Sequence, residues 1–388
     1  MMKNKQTAYQ IISVFVSALL IFLAYLNIVG DGTIFKGTMD GETVKCRVIR
    51  VTDVQTQNVS GENEFVTVTF KAQALNTSLR GKTIEVLQEI DRSYVFSPKQ
   101  VEQGDKILVE GYAEDGEMLY YFGDFVRITP LIWLLVIFCV LIIVFSKMQG
   151  LKTVVSLGFT CLSVFCVLIP AILNGRNIYF WSIAVCVFIT VMTLSIISGF
   201  NVKSLCSGIG CVCGVLCSGL IVLITDKFLN MTGLLEEESV YLIQLYPENP
   251  INLKAIIFAM IIVGAVGAVM DVSMSISSSL YELRIKSPDT APKELMKSGF
   301  TIGRDMMGTM ANTLVLAYIG SSLTSVLLLV SYNASLEQVI NKEMIVAEIL
   351  QALAGSMGML LTLPLTSAVC AVIYYKKNPP KGENLNAR

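Results

Sequence analysis

Long apolar runs constrain the fold of this sequence more than any other feature. A helix needs roughly 20 mostly apolar residues to cross about 30 Å of hydrocarbon. The runs that meet this rule, and are predicted membrane spans, lie near 9–29, 130–147, 151–172, 178–198, 204–225, 253–280, 305–331 and 345–375. Lys3 and Lys5 precede the first run, as in a signal peptide. However, this run continues to Val29 without a clean small-x-small cleavage site, which favours an uncleaved anchor.

The positive charges between the runs predict the orientation of the chain. Cytoplasmic loops of membrane proteins are enriched in Lys and Arg. With both termini inside, the cytoplasmic segments contain 14 Lys and Arg residues, whereas the short outer loops contain 4, namely Arg176, Lys227, Lys254 and Lys342. This orientation requires an even number of spans, which eight satisfies. The sequence therefore predicts a multi-pass α-helical membrane protein with both termini in the cytoplasm.

Residues 31–129 follow a different pattern and are predicted to lie outside the cytoplasm. Apolar and polar residues alternate there with the period of two that half-buried strands have. The predicted strands are 43–51, 65–70, 82–89, 106–113 and 118–127. Five short strands predict a small antiparallel β-barrel, similar to an OB fold. The segment is mildly acidic and lacks aromatic residues interleaved with basic ones. We therefore expect a spacer or a protein-binding domain there, and no nucleic-acid binding.

These patterns divide the chain into four parts. The predicted parts are an N-terminal anchor helix at 1–30, an extracytoplasmic β-rich domain at 31–129, a seven-helix membrane domain at 130–376 and a cytoplasmic tail at 377–388. The lipid bilayer is the first predicted partner, and a protein bound to the β-rich domain is the second. The pattern leaves the oligomeric state open.

Several chemistries are excluded by the residues that the chain lacks. There is no histidine, so catalysis that depends on a histidine base and metal sites built on histidine are excluded. Of the ten cysteines, only Cys46 lies in the β-rich domain, which therefore closes no internal disulfide. The sequence has no GxxxxGK[ST] phosphate loop. We predict no enzymatic activity, no cofactor and no metal.

The run at 253–280 carries a small and polar stripe. Residues at steps of four and three share one face of a helix. Here such steps connect Gly264, Ala268, Asp271, Ser275, Ser278 and Glu282. An Asp at bilayer depth costs about 3 kcal/mol or more unless it is paired, hydrated or protonated. Asp271 is therefore expected to face a bundle interior or a water-filled path.

The run at 305–331 begins with a second polar stripe. Its members are Arg304, Asp305, Gly308, Thr309, Asn312 and Thr313, with Gly320 two turns further on. Arg304 and Asp305 lie near the inner end of the predicted span. They also suit an interfacial ion pair at a helix start, where Asp interacts favourably with the helix dipole.

Small residues predict where helices approach closely, because a missing side chain lets two backbones meet. The glycines expected at such contacts are Gly210, Gly214, Gly264, Gly267, Gly308 and Gly320. Between the two polar stripes, Pro292 and Gly299 predict the start and the end of a short helix in a basic cytoplasmic loop.

The residues of the two stripes carry a family resemblance. The segment from Gly264 to Glu282, and above all Ser298-Gly-Phe-Thr-Ile-Gly-Arg-Asp-Met-Met-Gly-Thr-Met-Ala-Asn312, resembles the YibE/YibF-like family of bacterial membrane proteins. The plan of one anchor, one external domain and a multispan part is similar to that family over nearly the whole chain. The resemblance implies a bacterial cytoplasmic membrane and no particular substrate.

Three functions compete for the polar stripes. The leading hypothesis is a transporter or permease whose path for an ion or small solute is lined by Asp271 and Asn312. Ser275, Ser278 and Thr309 would add neutral oxygens to that path. The second is a non-transporting scaffold for envelope assembly that holds a partner through the β-rich domain, with the stripes serving only to pack helices. The third is an intramembrane aspartyl protease using Asp271 and Asp305, although the Gly-x-Gly typical of that class is missing.

Overall fold

The computed structural model describes residues 2–29, 42–59, 63–77, 79–92, 99–114, 117–235, 237–245, 250–332 and 335–376. The chain divides into two compact units. A helical unit comprises Met1–Gly32 and Ile142–Arg388, and a second unit comprises Thr33–Leu141. Each unit has its own core.

The second unit contains a closed five-stranded barrel. Its strands are β1 (Glu42–Val59), β2 (Asn63–Ala74), β3 (Thr83–Asp91), β4 (Lys106–Glu114) and β5 (Glu117–Phe125). The strand order is β1-β2-β3-β5-β4, with β4 closing onto β1. Each predicted strand overlaps one of these strands. The prediction of an entirely antiparallel barrel was wrong for one strand pair, because β3 and β5 run parallel and pair only at Leu87 and Tyr121.

The barrel core follows from the alternation of its strands. Val44, Cys46 and Val48 are buried on β1 while the residues between them point outward. Phe70 of β2 is fully buried in the same core. Burial raises the pKa of the Cys46 thiol to about 11. The buried amide of Gln88 accepts a hydrogen bond from the backbone of Val101 and donates one to the carbonyl of Lys99, which fixes the chain before β4.

The remaining elements are helices. They are α1 (Met2–Val29), α2 (Ile128–Ser163), α3 (Ile169–Leu173), α4 (Ile178–Ile197), α5 (Val202–Leu229), α6 (Glu237–Leu245), α7 (Leu253–Lys286), α8 (Pro292–Ser321), α9 (Leu323–Ser331), α10 (Leu336–Ile340) and α11 (Glu343–Lys376). A π-helical turn, Val164–Leu168, joins α2 to α3. Six helices of the described residues are long and apolar enough to span a membrane, or seven if the bent pair α8 and α9 is one span.

The backbone of α2 breaks at Lys147. This residue has φ 50° and ψ −125°, which no α-helix contains. Three residues later, a Cβ atom placed on Gly150 would lie within 3 Å of the Ile142 backbone. In a continuous helix these two positions would be about 12 Å apart. The chain therefore doubles back at Lys147.

Helices α5, α7 and α11 form the centre of the helical unit, where small residues allow close contact. A Cβ atom on Gly214 would overlap Thr362 of α11, and one on Gly210 would overlap Thr366. Next along α5, Ser218 donates a hydrogen bond of 3.0 Å to the carbonyl of Ala354. The face of α5 that carries Gly210, Gly214 and Ser218 is therefore where the backbone of α11 packs.

Helix α8 packs against α7 and α11 through glycines. Gly299 lies against Ser367 and Leu280, and Gly303 against Leu363 and Ile276. The prediction of a short helix ending at Gly299 was wrong, because α8 continues without interruption to Ser321. Gly299 serves a close contact in the middle of a helix rather than a helix end. Helix α9 then departs at 55° from α8.

Candidate functional site

The polar stripe predicted on α7 lies on the outward side of that helix. Asp271 and Glu282 are exposed, and Ser275 and Ser278 are half-buried. The buried hydroxyls of α7 are on the opposite side, at Ser273 and Ser277 (described below). Among the residues that the structure describes, the Asp271 carboxylate forms no hydrogen bond and no ion pair.

The polar residues predicted on α8 also face outward. Arg304, Asp305, Thr309, Asn312 and Thr313 are all exposed. The side of α8 that packs on the core carries Met307, Met310, Ala311 and Leu314. The hydroxyls of Thr309 and Thr313 bond to carbonyls of their own helix. No described hydrogen bond connects this polar stripe to the one on α7, and none joins Asp271 to Asn312.

The contacts of Gly303 show where the α8 stripe lies along α7 and α11. Its neighbours Ile276 and Leu363 lie about 10 Å and about 5 Å from the midpoints of α7 and α11, at a rise of 1.5 Å per residue. Arg304 and Asp305 follow directly in sequence. These two charges therefore lie beside the interior of α7 and α11 rather than at the ends of those helices.

The glycines predicted for helix contacts separate into two groups. Gly210 and Gly214 are closely packed, as described above, and Gly264 lies beside the Tyr318 hydroxyl. In contrast, Cβ atoms placed on Gly267, Gly308 or Gly320 would meet no atom within 4 Å. This second group leaves room on the surface of α7 and α8.

A polar cluster that sequence reasoning missed lies where α7, α8 and α11 meet. The Tyr318 hydroxyl of α8 lies between two glycines, 2.8 Å from the Cβ position of Gly264 and 4.0 Å from that of Gly355. The Gln351 amide lies 3.3 Å from the same Gly264 position and hydrogen-bonds Tyr318. Glu348, one turn before Gln351, interacts electrostatically with Tyr318.

Glu348 is the unusual member of this cluster. Its Oε2 atom is buried and lacks a hydrogen-bond partner among the described residues. A carboxylate oxygen in that state is costly, since burial removes its water without replacing it. The signal was present in the sequence, because Glu348 is an acidic residue within the apolar run 345–375. Asp271 lies two turns after Gly264 on the same face of α7, about 10.5 Å further along the helix, and interacts electrostatically with Cys211 of α5 rather than with this cluster.

Buried hydroxyls at the centre of the helical unit form a separate network. Ser273 donates to the Ser207 carbonyl at 2.5 Å and accepts from Thr366 at 3.2 Å. Ser277 and Tyr374 lie 2.6 Å apart, and Ser277 also donates to the carbonyl of Lys203. We call these interhelical contacts the hydroxyl seam. Its members are satisfied by one another and by carbonyls, which is the behaviour of groups that hold helices together.

No group of three or more His, Cys, Asp or Glu side chains within the described residues has the arrangement of a metal site. The chemistry available is that of carboxylates, a phenol, an amide and hydroxyls. These groups bind cations, exchange protons or contact polar solutes.

With this geometry described, comparison with known protein families becomes informative. The model of the YibE/F-like protein family matches residues 134–376, which is more than half of the chain. The chain belongs to the YibE/F-like family. The match covers α7, α8 and α11, and so includes both polar stripes, the Glu348 cluster and the hydroxyl seam. Comparison of this YibE/F-like protein with curated proteins and with solved structures gave no match.

Proposed function

We propose that this YibE/F-like protein is a membrane transporter that moves an ion or a small solute along the α7 stripe. The observation that carries the proposal is the buried, unpartnered oxygen of Glu348 beside Tyr318 and Gln351. Ionisable groups inside a membrane normally mark ion or substrate pathways. Asp271 is a second carboxylate, on the same face of α7 as Gly264 and two turns further along that helix.

The residues take distinct roles in this proposal. Glu348 and Asp271 bind the moving cation or exchange a proton. Tyr318 and Gln351 orient the bound species at Glu348, and the half-buried Ser275 and Ser278 supply neutral oxygens further along α7. Asn312, which faces outward on α8, does not reach Asp271 within one chain. The path proposed here therefore runs past Glu348 rather than between Asp271 and Asn312.

Ion movement tests this proposal directly. We expect proteoliposomes with a trapped pH indicator to respond to an imposed potential or to a gradient of Na⁺, K⁺ or Mg²⁺. Asp271→Asn and Glu348→Gln should each reduce the response at least ten-fold while the protein inserts normally. Glu294→Gln is the matched control, since Glu294 is exposed in the first turn of α8. Full activity of both carboxylate variants would exclude the proposed path.

Hydration of the stripes gives a second test. Single cysteines at Ser275, Ser278, Thr309 and Asn312, in a cysteine-free background, are probed with a small water-soluble thiol reagent in intact membranes. Reaction at Ser275 and Ser278, but not at the apolar, exposed Leu220 of α5, is expected for an aqueous path. Protection of both serines would indicate a dry surface and would contradict transport along α7.

The proposed arrangement in the membrane has eight spans, both termini in the cytoplasm and residues 31–129 outside. The reversal at Lys147 supports dividing Ile128–Leu173 into two crossings, because a straight helix of that length would be about 69 Å long. The excess of Lys and Arg in the inner segments supports the orientation. Together with the family, it favours a bacterial cytoplasmic membrane. A reporter fused after Asp289 should be cytoplasmic, and one inserted in the barrel should not.

One observation on the barrel favours a second function, that of a scaffold. Where β3 and β5 barely pair, a groove of about 440 Å³ is lined by residues including Leu87, Met118 and Tyr120. Such a groove suits an extended segment of a partner protein. Deleting residues 31–128 separates the two functions, because a transporter can retain ion movement without the barrel, whereas a scaffold loses its partner.

A further inference from the structure

The outward side of α8 is a polar surface inside the membrane. We call it the α8 outer face and define it by Arg304, Asp305, Gly308, Thr309 and Asn312. All five are exposed in the single chain. Gly303 contacts Ile276 and Leu363, which lie about 15 Å and about 20 Å before the last residues of α7 and α11, so this face begins well inside the helical unit rather than at the helix ends.

Lipid tails do not satisfy the polar groups of this face. Hydrocarbon accepts and donates no hydrogen bonds, and a charge that faces lipid is costly unless it is paired or hydrated. Arg304 and Asp305 have no ion pair among the described residues, and the Asn312 amide has no described hydrogen bond. In the membrane these groups need a polar partner.

The charges on this face are complementary to a copy of themselves. Arg304 and Asp305 are adjacent, so a two-fold axis along the membrane normal places Arg304 of one chain opposite Asp305 of the other, twice. An amide such as Asn312 both donates and accepts, so it can pair with its own copy across the axis. Gly308 has no neighbouring atom within 4 Å of its Cβ position, which leaves room for a second helix to approach closely.

We propose that a second copy of this chain covers the α8 outer face, and that the protein is a two-fold symmetric dimer in the membrane. In this contact Arg304 and Asp305 of the two copies form ion pairs, and the two α8 helices approach closely at Gly308. The proposal does not depend on transport, since it rests on the exposure, depth and charge of α8 alone.

Cross-linking in intact membranes tests the contact. The full-length protein is prepared with its ten cysteines replaced and with Asn312→Cys as the single thiol. Under mild oxidation, we expect a disulfide-linked dimer at least ten-fold more abundant than with Leu220→Cys, a 58% exposed apolar position on α5. Equal yields at the two positions, or a linkage only to a different protein, would overturn the proposal.

Charge exchange tests the pairing and does not depend on the stability of one variant. In the Asn312→Cys background, Arg304→Asp and Asp305→Arg should each lower the dimer yield at least five-fold. The same two variants, carrying different tags and expressed together, should cross-link to each other near the original yield. Single variants that dimerise normally, or a mixture that gives no mixed dimer, would each contradict the proposed interface.

Discussion

The barrel and the helical unit differ in the kinds of side chain that they bury. Among the described barrel residues the core is Val, Ile, Ala, Phe and Cys, and the polar side chain buried with it is Gln88. The helical unit adds hydroxyls and glycines at its centre and exposes large apolar side chains such as Phe145, Leu220 and Phe228. Water drives apolar groups inward in the first case. Lipid does not drive apolar side chains to the inside of the helical unit. Close packing and hydrogen bonds therefore determine which of its residues are in contact.

The largest expected effect comes from filling a glycine at the centre of the helical unit. A Cβ atom at Gly214 would lie within van der Waals overlap of Thr362, so Gly214→Val should prevent α5 and α11 from packing. We expect loss of folded protein, measured as monodisperse protein after detergent extraction. Gly158→Val is the matched control, because Gly158 of α2 has no atom within 4 Å of its Cβ position. Equal recovery of both variants would show that close contact does not stabilise this unit.

A core substitution in the barrel should follow the rules of water-soluble domains. Phe70→Ala removes a fully buried ring and should lower the free energy of unfolding of the barrel by about 3–5 kcal/mol. Pulse proteolysis in urea measures this on the full-length protein. Phe65→Ala, on the same strand but 39% exposed, should cost far less. Similar losses for the two variants would mean that burial does not govern the stability of the barrel.

Alkaline pH should weaken the barrel through Cys46. The pKa of this thiol is about 11 in the folded barrel against 9.0 for an ordinary thiol, so above pH 9 the unfolded state binds fewer protons. The free energy of unfolding therefore falls as pH rises from 9 to 11, by about 2 kcal/mol at pH 10.5. The urea midpoint of Cys46→Ala should fall less over that range than the midpoint of the unmodified protein. Parallel curves would refute this contribution.

The smallest effect is expected in the hydroxyl seam. Tyr374→Phe removes the hydroxyl that contacts Ser277 and should cost about 1 kcal/mol, the size of interhelical hydrogen bonds in membranes. Thermal unfolding in detergent measures it, with Tyr375→Phe as the control at an exposed position. A double-mutant cycle with Ser277→Ala should show coupling between the two positions. Additive losses would mean that the hydroxyls do not interact.

The barrel was predicted well because the alternation of apolar and polar residues in each strand shows which side chains point inward and which point outward. The parallel pairing of β3 with β5 was missed, because alternation gives no information on which strands become neighbours. In the helical unit the lengths of the apolar runs were informative. Small residues were ambiguous, since Gly210 and Gly308 look alike in sequence, yet one lies against α11 and the other faces open space.

The polar stripes were recognised as helix faces, but their partners were not predicted. The 3.6-residue period identifies which residues share a face and not what that face meets. Asp271 and Asn312 were expected to line one path, and both face outward. Glu348 was missed because it interrupts its apolar run alone, without a periodic pattern around it.

The hydroxyl seam has a consequence for how this protein responds to its surroundings. Its side chains, among them Ser273, Ser277, Thr366 and Tyr374, are neutral hydroxyls. The free energy of these hydrogen bonds is therefore almost independent of the membrane potential and of ionic strength. A voltage acts on charge, at about 2.3 kcal/mol per elementary charge per 100 mV. Any electrical sensitivity of the helical unit must therefore come from charged groups outside the seam, among them Asp271 and Arg284 of α7 and Glu348 of α11.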